Sequence, residues 1–252
     1  MRLRVFGVGD AFTAKFWTTC VAVEAQGARL LIDCPHPIRR VLGDGGFDVG
    51  DVDAVVLTHL HADHSSGLEG FGFFSHFVLG RRTRLVAHPE VVGELWGGHL
   101  QGGMRQLIDA THHAPHAHEL ADFFDVTPLS ETTATQVGPF SIECRRTIHH
   151  IPTFALRIRA GGACLGWSSD TAFDPSLIAW LSEADRFVHE TNLGAHTPYE
   201  QLAALPAELR DRMWLTHYPD DFDIDGSTVA CLRQGQVYRI GPLQGNADDG
   251  ER

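Results

Sequence analysis

The amino-acid sequence predicts one α/β (α+β) domain, and three observations support that fold class. Apolar segments of strand length recur in both halves of the 252-residue chain, which is long enough to bury a sizeable core. Segments of helical period lie between several of these strands. The sequence contains neither a low-complexity linker nor a block of like charge that would separate two domains. We therefore expect residues 1–244 to form a single domain and residues 245–252 to form a disordered tail.

The strands are predicted from alternating or continuous apolar residues. Gln26 and Gly27 supply the turn of an early hairpin, and Gly161 and Gly162 supply a turn within a later run of strands. The predicted strands are RLRVFGV at 2–8, the two arms of the hairpin at 20–34, DVDAVVLTHLH at 51–61, TRLVAHP at 83–89, the run at 136–173, DRFVHET at 185–191, WLTHYPD at 214–220 and the edge strand GQVYRIG at 235–241.

The helices are predicted from helical periodicity and from their end signals, such as a glycine after the first of them. They are HPIRRVLGDG at 36–45, EVVGELWGGHL at 90–100, DPSLIAWLSEA at 174–184 and TPYEQLAALPAELRDRM at 197–213. We expect the glycine- and histidine-rich residues 97–118 to form a loop or a lid over a site. The histidines of the segment 96–118 could face a substrate, hold an extra metal ion or belong to a flexible polar loop. They are His99, His112, His113, His116 and His118.

Composition and charge narrow the classes of protein. The net charge of −12 disfavours a dedicated nucleic-acid binder, because such a surface repels phosphate groups. The only short basic runs are GRRTR at 80–84 and CRR at 144–146. No window of 18 apolar residues predicts a membrane span, and the N-terminus lacks a signal-peptide pattern. Five cysteines without CxxC spacing fit reduced thiols. We expect a cytoplasmic protein with a small-molecule substrate; the sequence leaves open whether it forms a homodimer.

The segment LTHLHADHSSGLEG at 57–70 carries the strongest chemical signal. His59 and His61 alternate by two, so their side chains point the same way on extended backbone, and Asp63 and His64 follow in the turn. Histidine is the commonest metal ligand in proteins. Four ligand-type side chains within six positions, at the end of an apolar strand, therefore predict a metal site.

The motif THLHADH resembles the HxHxDH signature of the metallo-β-lactamase-fold superfamily. Further motifs of that superfamily follow in order over residues 3–240. They are Asp33 in LLIDC, His149 or His150 in HHIPTFAL, Asp170 in GWSSDTAF and His217 in WLTHYPD. The resemblance implies a four-layer αβ/βα sandwich with two metal ions at one edge.

The resemblance also implies how the ligands are shared. One ion would bind His59, His61 and the histidine of the third motif, the other would bind Asp63, His64 and His217, and Asp170 would bridge them. Asp33 would orient a ligand histidine, although it could also act only as a strand-end cap. Carboxylate and imidazole ligands suit zinc, and also iron or manganese.

Two neighbouring histidines compete for the third-motif position. The phosphodiesterase-like branch of the superfamily writes this motif as H-x-x-P-[ST]-F-G-Y. Pro152, Thr153 and Phe154 match it in register with His149. The register therefore selects His149 as the ligand, and His150 would point away.

The segment FVHETNLGAHTPYEQL at 187–202 resembles two motifs of tRNase Z and its relatives. Carried over, Glu190 would orient His196, which would contact the phosphate or protonate the leaving oxygen. A plain alternative is a helix start at Thr197 and Pro198. The candidate catalytic residues are thus Asp63, Glu190 and His196.

The chain departs from tRNase Z between His149 and Asp170. Bacterial members of that family insert a tRNA-gripping arm there, whereas about 20 residues here suffice only for two strands and a turn. We therefore expect a binuclear metal-dependent hydrolase in which a metal-bridging hydroxide cleaves a small cyclic or nucleotide-like phosphodiester. Hydrolysis of a lactone or thioester, and a di-iron protein that binds or reduces oxygen, remain the alternatives.

Overall fold

The computed structural model describes residues 1–108 and 113–241, so the predicted tail at 245–252 lies outside the described residues. The strands are β1 (Arg2–Gly7), β2 (Cys20–Ala25), β3 (Ala28–Ile32), β4 (Ala54–Leu57), β5 (Thr83–Ala87), β6 (Gln106–Ile108), β7 (Pro115–Ala117), β8 (Phe124–Pro128), β9 (Thr135–Val137), β10 (Phe140–Arg146), β11 (Phe154–Ala160), β12 (Ala163–Trp167), β13 (Arg186–Glu190), β14 (Met213–Thr216) and β15 (Val237–Arg239).

The helices alternate with these strands. They are α1 (Ile38–Asp44), α2 (Ala62–Ser65), α3 (Leu68–Phe73), α4 (Pro89–Leu95), α5 (Gln101–Met104), α6 (Leu120–Phe123), α7 (Pro175–Leu181), α8 (Tyr199–Ala203) and α9 (Ala207–Arg210). A 3-10 turn spans Val49–Asp51, and π-helical turns span Phe74–Val78 and Trp96–Leu100.

Within the described residues the strands form two large sheets and one small hairpin, β6-β7. The first sheet has the order β15-β1-β2-β3-β4-β5-β8, and its four strands β3, β4, β5 and β8 run parallel. The second sheet has the order β14-β13-β12-β11-β10-β9, with β12, β13 and β14 parallel. Parallel strands end at the same edge, so each sheet presents several strand exits together.

Both sheets are covered by helices and share a core. Every residue of β4 and of β12 is buried, which requires packing on both faces of each sheet. Apolar side chains of both sheets meet in one continuous cluster, which also takes up helices α1, α3 and α4. A second cluster joins helices α7 and α8 to the outer face of the second sheet. The layered arrangement agrees with the predicted α/β class.

The structure differs from the sequence-based elements where the site lies. The strand predicted at 51–61 ends at Leu57, and residues 62–78 form helical turns that the sequence had not predicted. The helix predicted at 197–213 is broken into α8 and α9, because Pro206 cannot continue the first helix.

The segment 96–118 was predicted as a loop or lid, and most of its described part has regular structure instead. Helix α4 continues through a π-helical turn into α5, because Leu100 and Met104 are buried in the core. Strands β6 and β7 then pair as a hairpin. No helix in the described part of the chain is long and apolar enough to cross a membrane.

Gly67 closes the turn between α2 and α3 against the segment that follows β3. Its amide donates a 2.8 Å hydrogen bond to the Cys34 carbonyl oxygen. A Cβ at this position would lie 2.7 Å from the same oxygen and would overlap the Pro35 carbonyl as well. Only glycine allows this approach, since backbone atoms cannot yield as a flexible side chain can.

We expect Gly67→Ala to lower the free energy of unfolding by about 1–3 kcal/mol, the usual cost of forcing extra volume into a packed site. Gly70→Ala is the matched control, because a Cβ at Gly70 meets nothing within 4 Å. In a helix that exchange should be neutral or stabilise the protein by up to about 1 kcal/mol. Urea unfolding of both variants tests the prediction, and equal stabilities would contradict it.

Candidate metal centre

The metal loop, residues 58–64, begins where β4 ends inside the first sheet. His61 has extended backbone (φ −62°, ψ 148°) and precedes helix α2, which carries Asp63 and His64. The amide of His64 donates a 3.0 Å hydrogen bond to the His61 carbonyl. This tight turn brings four ligand-type side chains of one short segment to the same edge of the sheet.

The second sheet supplies the other candidate ligands from three separate connections. His149 lies between β10 and β11, Asp170 follows β12, and His217 follows β14. The two sheets are joined beside the metal loop by a 3.2 Å hydrogen bond from the Phe154 amide to the Thr58 carbonyl.

The structure brings the seven sequence-predicted ligands together in two overlapping groups. Within each group the candidate ligand atoms all lie within 4.8 Å of one another. The first group is His59, His61, His149 and Asp170, and the second is Asp63, His64, Asp170 and His217. Asp170 is common to both, as expected of a bridging carboxylate. The grouping is compatible with a divalent metal site.

Nitrogen and oxygen atoms converge closely inside these groups. His149 Nε2 lies 3.0 Å from His61 Nδ1. In the second group, His64 Nε2 lies 3.2 Å from Asp63 Oδ2 and 3.3 Å from Asp170 Oδ1. His217 Nε2 lies 3.5 Å from Asp170 Oδ2.

Unsatisfied nitrogens support a fit to metal ions. His59 Nε2 is buried and has no hydrogen-bond partner within the part of the chain that the structure describes. His64 Nε2 is also buried, and the carboxylate oxygens 3.2 and 3.3 Å away do not meet it with hydrogen-bond geometry. A buried polar atom without a partner is costly. A divalent cation bound between these nitrogens and the carboxylates would satisfy both, so the residues present fit the ions that the fold family implies.

Asp33 contacts the metal loop on the side away from the candidate ligand atoms and orients it. Its Oδ2 lies 2.8 Å from His64 Nδ1, while Oδ1 accepts a 2.8 Å hydrogen bond from the Thr58 amide. The Thr58 hydroxyl in turn lies 3.0 Å from His59 Nδ1. With each Nδ1 engaged in this way, the Nε2 atoms of His59 and His64 face the centre, as expected for ligands whose outer nitrogen is hydrogen-bonded.

His217 is oriented by Thr19, which directly precedes β2. The Thr19 hydroxyl donates to the Gly9 carbonyl at 3.0 Å and lies 3.3 Å from His217 Nδ1. Because its proton is already used, this hydroxyl accepts the Nδ1 hydrogen of His217. The lone pair of His217 is thereby placed on Nε2, facing Asp63 and Asp170.

Burial and neighbouring charges shift the pKa values of the histidines in the cluster in opposite directions. Burial lowers the pKa of His59 well below its usual range, and burial also lowers the pKa of His149 to about 4. His64 is the exception. Although burial opposes it, the carboxylates of Asp170, Asp63 and Asp33 raise the pKa of His64 well above normal. The acidic side chains thus favour positive charge at the centre, which is the role a bound cation takes.

The choice between the neighbouring histidines agrees with the motif register. His149 belongs to the first ligand group and its side chain is fully buried. His150 is exposed and belongs to neither group among the described residues. Geometry therefore supports the prediction that His149 is the ligand.

Glu190 and His196 form a pair beside the candidate ligands. His196 Nδ1 lies 2.9 Å from Glu190 Oε1 and 4.0 Å from Asp170 Oδ2. Glu190 is buried, and its Oε1 also accepts a 2.8 Å hydrogen bond from the Thr171 amide. The pKa of His196 is raised although partial burial opposes it, because the Glu190 carboxylate stabilises the charged imidazolium.

The described histidines of the segment 96–118 belong to neither ligand group. His99 Nε2 is 3.3 Å from both the hydroxyl and the carbonyl oxygen of Ser65, so it supports the metal loop from outside. His118 pairs with Asp122 at 3.2 Å, and His113 and His116 are exposed. His112 lies outside the described residues. That histidines of this segment face a substrate stays a prediction.

Thr19 and Thr58 support the site and were missed by the sequence analysis. Thr58 could have been identified from the sequence, since a hydroxyl residue directly precedes the first histidine of the motif. Thr19 could not, because it lies 198 positions from the His217 that it contacts.

Comparison with known proteins places the chain in a family. The family model described as "Anti-Pycsar protein Apyc1" matches residues 1–238. The Anti-Pycsar protein Apyc1 of Paenibacillus sp. (strain J14) is 34% identical over 253 residues, which cover 95% of this chain and 99% of that protein.

Two solved structures illustrate the similarity in fold. The metallo-beta-lactamase fold protein YhfI from Bacillus subtilis has a TM-score of 0.75 at 20% identity, covering 94% of this chain and 98% of its own. The short form of human tRNase Z has a TM-score of 0.69 at 19% identity, covering 95% and 99%. The predicted metallo-β-lactamase fold is therefore confirmed.

Replacing Asp33 by asparagine should weaken metal binding by about 10- to 100-fold, the usual effect of losing a carboxylate behind a ligand histidine. Asparagine keeps the shape of the side chain and tolerates the positive φ of 61° at this position. Competition with a fluorescent chelator measures the affinity without any assay of activity.

Asp185→Asn is the matched control for that experiment. Asp185 also accepts a backbone hydrogen bond, from the Cys164 amide at 2.7 Å, and belongs to neither ligand group. Equal metal affinities of the two variants would contradict the orienting role of Asp33.

Proposed function

The chain belongs to the Anti-Pycsar protein Apyc1 family, and from that membership and the site we propose that it is a binuclear metal-dependent phosphodiesterase that hydrolyses small cyclic nucleotides. One observation carries the proposal beyond a general metallohydrolase. The buried Glu190 holds His196 beside the carboxylate that both ligand groups share. A histidine held in this way is suited to proton transfer at a leaving oxygen.

Two divalent cations would be held by the two ligand groups. We choose zinc, which imidazole and carboxylate ligands suit, and the same ligands would also accept iron or manganese. When bound, such a pair supplies activated water and stabilises negative charge on phosphoryl oxygens. His59, His61 and His149 would hold one cation, Asp63, His64 and His217 the other, and Asp170 both.

His196 would act as the general acid. Glu190 Oε1 accepts the hydrogen on Nδ1, so Nε2 is the atom that carries and releases a proton. The attacking water gives one proton to solvent and its oxygen adds to phosphorus, while the bond between phosphorus and one sugar oxygen breaks. Nε2 delivers its proton to that sugar oxygen and is then reprotonated from solvent. The product is a phosphomonoester, and Glu190 stabilises the imidazolium before the transfer.

Chain architecture favours a small substrate over RNA. The interval between His149 and Asp170 contains β11, the turn at Gly161 and Gly162, and β12, so no arm is inserted there. The net charge of −12 further opposes binding of a polyanion.

The same ligands could serve a lactone or thioester hydrolase, or a di-iron protein that binds or reduces oxygen. A thioester releases a thiolate, which needs no general acid, and a di-iron centre for oxygen has no alkoxide leaving group to protonate. The Glu190–His196 pair therefore favours the phosphodiesterase over these two. A lactone also releases an alkoxide, so the family membership, and not the pair, favours the phosphodiesterase over a lactone hydrolase.

The decisive experiment assays the metal-loaded protein, with its metal content measured, against nucleoside 3′,5′-cyclic phosphates, a model lactone and a precursor tRNA. We expect hydrolysis of the cyclic phosphates alone, with one ¹⁸O atom from labelled water in the phosphate of the product. Lactone hydrolysis without phosphodiester hydrolysis would replace the proposal by the first alternative. Bound iron with a visible absorption band and no hydrolysis would favour the second.

His196→Ala should lower kcat by about 10²- to 10⁴-fold, the range of a lost general acid. Its metal content should stay unchanged, because His196 belongs to neither ligand group. His150→Ala, which removes an exposed histidine beside the site, is the control and should keep both properties. A normal kcat in His196→Ala, or a loss of metal that accounts for the lower rate, would remove His196 from the mechanism.

A further inference from the structure

Two large apolar side chains are exposed on loops that flank the metal centre. Phe12 is 92% exposed and Leu193 is 77% exposed, the two highest values among the large hydrophobic residues described. Phe12 lies on the loop between β1 and β2, and Leu193 lies on the loop after β13. Single apolar residues on a surface are ordinary, so exposure alone does not indicate a binding site and the arrangement of the two residues matters.

A chain of hydrogen bonds links the two loops at these residues. The buried Asp10 accepts the amide hydrogen of Phe12 through Oδ1 at 3.0 Å and the amide group of Asn192 through Oδ2 at 3.0 Å. Asn192 Oδ1 then accepts the Leu193 amide hydrogen at 2.7 Å. One carboxylate and one amide therefore fix the backbone at both apolar residues.

Each loop is also attached to the candidate site. The loop of Phe12 continues to Thr19, which contacts His217, and the amide of Ala14 donates to Asp220 just beyond that histidine at 2.8 Å. The loop of Leu193 runs directly into His196. It is closed by a 3.1 Å hydrogen bond from the Asn192 amide to the Thr197 carbonyl.

We propose that Phe12 and Leu193 form an apolar clamp that holds the planar base of the nucleotide while its phosphate lies at the metal centre. The inference rests on the proposed function and names two residues that determine substrate binding. An aromatic ring offers a stacking face to any base, and an aliphatic side chain can close over the other face. Because hydrogen bonds already hold the backbone of both loops, little backbone entropy is lost when a base is bound.

The test compares two substrates and three variants of the metal-loaded protein. The substrates are a nucleoside 3′,5′-cyclic phosphate and the corresponding methyl riboside 3′,5′-cyclic phosphate, which lacks the base. The variants are Phe12→Ser, Leu193→Ser and the double replacement. Phe77→Ser is the matched control, because Phe77 is also exposed, at 61%, on a π-helical turn after α3.

We expect Phe12→Ser to raise KM for the nucleotide by about 5- to 150-fold, the range for a lost base–aromatic stack. Leu193→Ser should raise KM by a smaller factor, on the order of threefold to tenfold. In both variants kcat should hold, because the contact is made equally in the ground and transition states. The double variant should lose less than the product of the two factors, since both residues hold the same base.

The base-free substrate and the control distinguish the clamp from a disturbed loop and from a contact between two copies of the chain. Kinetics with the base-free substrate should not change in any variant, and Phe77→Ser should behave as the original protein. Unchanged nucleotide KM in both single variants overturns the clamp. An equal rise in KM for both substrates overturns it as well, since that result indicates a disturbed loop. A lower oligomeric mass in Phe12→Ser, measured by light scattering, would assign the residue to a contact with a second copy instead.

Failure of the proposed function gives a different result. The original protein would then hydrolyse neither phosphodiester. In that case calorimetry of cyclic-nucleotide binding still tests the clamp. Binding that is lost in Phe12→Ser and kept in Phe77→Ser supports the clamp, and equal binding by the two variants overturns it.

Discussion

The site depends on one buried carboxylate, that of Asp170. Asp170 is 2% exposed and follows β12 on a backbone bend at Ser169, where φ is +53°. Its oxygens lie within 4.0 Å of ring nitrogens on five histidines, which are His59, His64, His149, His196 and His217. So many imidazoles meet only where negative charge or bound cations compensate their polarity, and Asp170 is the group they share. Both ligand groups and the candidate acid are therefore arranged around a single residue.

The two sheets must dock for this arrangement to exist. The first sheet contributes the metal loop and Asp33, and the second contributes Asp170, Glu190 and the remaining ligands from its own strand exits. Neither sheet holds a complete ligand group, because each group takes two residues from the metal loop and two from the second sheet. Binding of metal to such a shared site stabilises the folded state, because the unfolded chain lacks the arrangement. Folding and metal binding would consequently be coupled through contacts between the sheets, such as the hydrogen bond from Phe154 to Thr58.

Much of this architecture could be predicted from the sequence. The features that could not be predicted have a physical explanation. The metal loop could be identified because four ligand-type side chains crowd one strand end. His149, Asp170 and His217 were predicted from the resemblance to the motifs of the superfamily. The helical turns at 62–78 were not predicted, because glycines and aromatic residues there obscure a helical period. The partners that orient the ligands were also missed. Thr19 reaches His217, and Asp10 reaches Asn192 across 182 positions, and no local pattern encodes such contacts.

Charge explains how an acidic protein could retain an anionic substrate. The net charge of −12 repels a polyanion such as tRNA, whose many phosphates extend over the surface. A single phosphodiester experiences mainly the groups within a Debye length, which is about 8 Å at physiological ionic strength. Two divalent cations and a protonated His196 would together carry five positive charges. The carboxylates of Asp33, Asp63, Asp170 and Glu190 would carry four negative charges, so the local balance would favour one phosphate. The base of such a substrate would extend from this charged centre toward Phe12 and Leu193, where an uncharged surface adds attraction without adding charge.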